Sequence, residues 1–143
     1  MSNADRKAKR KQNDKAYKVK VKMKKELDTI KEGIIEAKEM VIHTIDGHRG
    51  MLLTTEEYNV GIHIDMMLSK KSEILTKMEE AAIEVESSCL DNFVKLSSIT
   101  DEEDRMELIV EIGEGIGNLN MLNSESTNVM EEVYNLAKGE DNA

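Results

Sequence analysis

The sequence predicts an all-α protein: an elongated, antiparallel, coiled-coil-like three-helix bundle with a basic, disordered N-terminal arm. Three observations carry this expectation. No proline occurs in 143 residues, so no helix is interrupted by a missing backbone donor, an interruption that costs roughly 3 kcal/mol. Apolar residues recur at alternating steps of four and three through most of the chain, the spacing that keeps them on one side of a helix. Glycines and capping-type residues punctuate that rhythm around 46–55 and again at 100–104, dividing it into three segments.

Residues 1–14 are polar, charged and aperiodic, which reads as a disordered arm. The first helix is expected over about 15–46. Met23, Leu27, Ile30, Ile34, Ala37, Val41 and Ile45 form its stripe. Its opening is ambiguous, because Tyr17, Val19, Val21 and Met23 alternate with Lys18, Lys20, Lys22 and Lys24 at the period of an edge strand. A single strand would need a partner, so helix is the better reading. Asp46-Gly47-His48-Arg49-Gly50 supplies the backbone freedom for a turn.

Thr54-Thr55-Glu56-Glu57 has the form of a capping box, placing the second helix at about 55–99. Tyr58, Val60, Ile62 and Ile64 alternate, and Gly61 weakens the first turns. From Ile64 onward the stripe is the strongest in the chain, running through Leu68, Lys71, Leu75, Met78, Ala82, Val85, Cys89, Asn92, Leu96 and Ile99. Ile74, Ile83, Leu90, Phe93 and Val94 widen it, as suits a helix that touches two neighbours. Thr100-Asp101-Glu102-Glu103-Asp104 opens a third helix, about 101–137, with a second capping box and acid in its first turn. Ile109, Ile112, Ile116, Leu119, Leu122, Ser126, Val129, Val133 and Leu136 carry its stripe, with a kink or break expected across 123–127. Residues 139–143 read as a frayed tail. One domain, 15–138, therefore follows the arm, and short connections make its helices antiparallel.

Net charge is −9, but it is unevenly distributed. Residues 1–25 hold eleven Lys or Arg against Asp5 and Asp14, a local +9, which leaves the remainder at −18. A basic arm on an acidic body suits two kinds of contact, or an arm folded back on its own bundle. Aromatic residues are 3% of the chain, too few for a base-stacking platform or an aromatic cage, while ten Met supply adaptable apolar surface. The lone Cys89 excludes an internal disulfide, and no stretch approaches the roughly 20 apolar residues of a membrane span. No apolar segment follows the basic N-terminus as in a secretory leader, so an intracellular, cytoplasmic location is the expectation.

No constellation of nucleophile, base and oxyanion donor is readable within the single chain, so an enzyme is not expected, nor is a cofactor. Gly113-Glu114-Gly115-Ile116-Gly117 has the wrong spacing for a dinucleotide loop and no strand before it. Each of these glycines should cost about 1 kcal/mol in a helix. Gly113 and Gly117, one turn apart, are candidates for close helix packing or for a partner contact, against a simple kink. His43, His48 and His63 lack the Glu three residues earlier that bundle metal sites use, so no metal is expected. Cys89 lies on the core stripe, where a thiol acts as a small apolar group. Lys71 and Asn92 interrupt the best stripe, and they are read as setting seam specificity.

In the arm, Arg6, Lys7, Lys9, Arg10, Lys11, Lys18, Lys20 and Lys22 are candidate contacts for nucleic acid or another anionic partner. Few apolar residues accompany them, which argues against membrane insertion. The function expected is a non-enzymatic protein–protein interaction or assembly subunit, binding a partner protein or forming a homo-oligomer through amphipathic helices. Two alternatives are a nucleic-acid-associated regulator working through the arm and a secretion or assembly chaperone.

Overall fold

A computed structural model describes residues 2–58 and 61–141, which are almost entirely helical. Met1 of the arm, Val60 of the alternating stretch, and Asn142 and Ala143 of the tail lie outside the described residues. The helices are α1 (Asn3–Tyr58), α2 (Ile62–Ser98), α3 (Glu102–Val129) and α4 (Glu131–Asp141). The first three pack pairwise into a three-helix bundle, and α4 continues the rod of α3. Side-chain contacts give the directions. Lys38 meets Glu86 and Arg49 meets Glu79, so α2 runs against α1. Arg105 reaches Leu96 while Cys89 reaches Ile112, so α3 runs against α2 and along α1.

The expected disordered arm is instead helix from Asn3. Residues 3–32 contain no Gly or Pro and are rich in Ala, Lys and Arg, which lose little side-chain freedom in a helix. The buried part of α1 also provides a ready nucleus, removing the cost of starting a helix from nothing. Ser2 closes the end: its hydroxyl accepts from the Asp5 backbone N–H at 3.3 Å and donates to the Asp5 carboxylate at 2.8 Å.

The turn expected at Asp46–Gly50 does not form either; α1 passes through it to Tyr58. The stripe continues past Ile45 through His48 and Leu52, both buried, so a histidine occupies a position where the rhythm calls for an apolar residue. Burial along that face outweighs the helix cost of Gly47 and Gly50. Thr54 and Thr55, expected to cap the second helix, donate instead to the carbonyls of Gly50 at 3.0 Å and Met51 at 2.8 Å. That is the bonding of hydroxyls within a helix, and α2 begins later, at Ile62.

α3 is capped by Asp101 rather than Thr100: its carboxylate accepts from the Asp104 N–H at 3.3 Å. The break expected across 123–127 falls at Met130, whose N–H bonds the Thr127 carbonyl at 3.1 Å. The hydroxyls of Ser126 and Thr127 both donate to the Asn123 carbonyl, and the helix tightens just beyond them. Residues 139–141 of the expected frayed tail belong to α4.

The core is aliphatic and runs the length of the bundle in two joined clusters. One includes Val41, Ile45, Leu52, Leu75, Leu119, Met130 and Val133; the other is built on Ile34, Cys89, Leu96 and Ile112. Val85 and Ile116 pack against both. At 1.5 Å per residue α1 is about 84 Å long and α2 about 55 Å. The difference projects as an overhang, because every described residue up to 22 is exposed, Met23 is the first that is partly buried, and Leu27 is the first packed against the core.

Candidate interaction surface

Among the described residues, the overhang formed by residues 3–22 of α1 is exposed along its whole length. All eight cations singled out from the sequence lie on it: Arg6, Lys7, Lys9, Arg10, Lys11, Lys18, Lys20 and Lys22, each exposed. Helical geometry sorts them. Lys7, Lys11, Lys18 and Lys22, with Lys15 and Lys25, advance by steps of four and three and fall within roughly 80° of arc. Lys9 and Lys20 point elsewhere on the helix, toward the side that becomes the core face further along.

Among the described residues, ion pairs form within the bundle: Lys38–Glu86 at 3.6 Å, Arg49 with Glu79 and with Asp46, and Lys71–Glu132 at 3.6 Å. None uses a cation of the overhang. The overhang therefore presents an array of lysines held in no ion pair among the described residues, with only Asp5 and Asp14 as acids within it. Opposite charge gathers on α3, where Glu103, Glu107, Glu111 and Glu114 form an exposed stripe, likewise without ion pairs among the described residues.

The interrupting residues of α2 behave differently from each other. Lys71 lays its stem on the seam, with its ammonium at Glu132 of α4, so it ties the continuing rod to α2. Asn92 is half-buried beside a shallow groove of about 340 Å³ between α2 and α3, and it makes no hydrogen bond among the described residues. It supplies no register-fixing pair inside the bundle. A Cβ on Gly113 or Gly117 would meet nothing within 4 Å, so neither permits close packing within the chain. Gly115 does: a Cβ there would overlap the Cys89 sulfur. The signal was present in the sequence, since Gly115 is the member of the three nearest the core stripe at Ile112 and Leu119.

Burial pushes the Cys89 thiol up from its ordinary range, and its S–H points to the Ile112 carbonyl, 3.9 Å away. Burial also pushes His48 down, and its Nε2 finds no hydrogen-bond partner among the described residues. Among the described residues no group of three or more His, Cys, Asp or Glu side chains could hold a metal ion. No helix among them is long and apolar enough to cross a membrane. A groove of about 730 Å³ runs between α1 and α2 past Arg49, Leu68, Ser72 and Thr76, and it is open to solvent.

Compared with known protein families, curated proteins and solved structures, the chain finds no match.

Proposed function

We propose that this protein is a non-enzymatic interaction subunit that engages a partner protein, with the α1 overhang as its docking element. The observation that carries the reading is a helical segment of about 30 Å that is exposed throughout, continuous with a buried bundle helix and lined along one face by lysines that form no ion pair among the described residues. A helix held at one end by a core loses little further backbone freedom when it docks, which favours recognition by a helix face. The acidic bundle limits close approach to other polyanions and directs their contacts to the overhang.

The test is capture of partners from native lysate by full-length protein and by protein lacking residues 2–22. A partner protein retained by the first and lost by the second is the expected result. Identical captures by the two baits would remove the overhang from the function.

The lysine stripe also favours a second reading, nucleic-acid association through phosphate contacts. Its cations run along about 27 Å of one helix face, and aromatic rings suited to base stacking are nearly absent. That reading predicts sequence-independent retention of DNA or RNA that falls steeply with salt and vanishes with the overhang.

A further inference from the structure

We infer that the overhang of one copy docks antiparallel along α3 of a second copy of this chain. The inference rests on the reading above that the overhang binds protein, and it names the surface that receives it. Lys11, Lys15, Lys18 and Lys22 span twelve residues in three steps, and Glu103, Glu107, Glu111 and Glu114 do the same. Both stripes are exposed and without ion pairs among the described residues, and at 1.5 Å per residue both are about 17 Å long. Laid antiparallel, Lys22 meets Glu103, Lys18 meets Glu107, Lys15 meets Glu111 and Lys11 meets Glu114.

Charge alone would also permit a parallel pair; the apolar residues select the direction. Beside the lysine stripe lie Tyr17 and Val21, and beside the glutamate stripe lie Met106 and Val110, all exposed. Viewed from the N-terminus of each helix, both apolar edges lie on the same rotational side of their charges, by the 100° per residue of an α-helix. Only an antiparallel pair brings such edges together. The same edge of α3 continues through Gly113 and Gly117, whose missing side chains leave its backbone open to an approaching helix.

A single chain cannot make this contact with itself. The overhang points away from the bundle beyond the α2–α3 turn, whereas the glutamate stripe runs back along it. The occupant is therefore another molecule carrying a lysine helix, and a second copy carries one with the required spacing.

The test is sedimentation equilibrium of the purified full-length chain, alone and with two charge-reversal variants. One variant carries Lys15→Glu, Lys18→Glu and Lys22→Glu; the other carries Glu103→Lys, Glu107→Lys and Glu111→Lys. All six positions are exposed, and circular dichroism checks that each variant stays helical. At low salt the wild type should sediment above the 16.2 kDa of one chain, and dissociate as salt approaches about 1 M, where charges act over only roughly 3 Å. Each variant alone should associate more weakly by at least about tenfold, and mixing the two should restore association, because reversed stripes again meet opposite charges. A wild type that sediments as a single chain at low salt, variants that associate as the wild type does, or a mixture that stays dissociated would each overturn the inference. Overhang-dependent capture of a different protein alongside a monomeric wild type would sink self-docking while leaving the interaction subunit standing.

Discussion

Gly115 of α3 stands directly against the Cys89 sulfur of α2, leaving no room between them for a β-carbon. The contact joins the half of the core built on Ile34, Leu96 and Ile112. Gly115→Ala should therefore destabilise the protein by up to about 2 kcal/mol, the roughly 1–3 kcal/mol cost of forcing an extra group into a packed interior being offset in part by the about 1 kcal/mol that alanine gains over glycine in a helix. Adding Cys89→Ala should recover most of that loss, whereas Cys89→Ala alone removes buried volume and should destabilise. Denaturant unfolding of the three variants checks this; a Gly115→Ala protein more stable than the wild type would contradict the packing.

Gly47 and Gly50 provide the opposite case. Both lie within α1, with nothing within 4 Å of a Cβ at either position, and no glycine among the described residues adopts the left-handed backbone that a turn glycine would use. Alanine at either should raise stability by about 0.5–1 kcal/mol, through backbone entropy alone. If these residues formed a turn, the same substitutions would be neutral or harmful, so thermal melts of the two variants decide whether α1 is continuous.

Arg105 ties the α2–α3 connection. Its guanidinium donates to the carbonyls of Leu96 at 3.0 Å and Ile99 at 3.1 Å, satisfying groups that the end of α2 leaves without helical partners. Arg105→Ala should cost roughly 1.5–3 kcal/mol, the range for hydrogen bonds to a charged group. Hydrogen exchange should show faster opening at the C-terminal turn of α2, and unchanged protection there would show that the arginine is dispensable.

His48 couples stability to pH. Burial lowers its pKa below the ordinary 6.5, so as pH falls through 6.5 the unfolded chain takes up a proton that the folded chain refuses. Stability associated with this group is complete above that value, falls as pH drops below it, and levels off beneath the folded pKa. His48→Leu removes the titration and the unpartnered Nε2 together. The stability difference between variant and wild type should therefore shift in favour of the variant between about pH 7.5 and pH 5.5. Parallel stability curves would show that His48 does not titrate with folding.

The helical character and the number of rods were legible because the apolar stripes advance by steps of three or four through Ile34–Ile45, Leu68–Leu96 and Ile112–Val133. Their boundaries were less so. His48 concealed the continuation of the first stripe, and two glycines beside it carried the local signature of a turn. Thr54 and Glu57 have capping chemistry, but the same hydroxyl serves as well bonded backward inside a helix. At the interaction surface, the lysines were legible as a charge run, but not as a face, since a face exists only once the segment is helical. The acid stripe of α3 was legible only as a capping cluster.

What the amino-acid order determined by itself was an all-helical, aliphatic, proline-free chain with eleven of its twenty cations in the first 25 residues and nearly all of its acids along the rest. Only the tertiary structure decided where α1 ends, which glycine lies at a close approach, and that the basic segment projects beyond the bundle as a helical continuation of a buried helix. The physical reason is that local propensities along this chain differ by about 1 kcal/mol per residue. Burial of a whole helix face against two neighbours sums many such increments, and so outweighs any single turn signal.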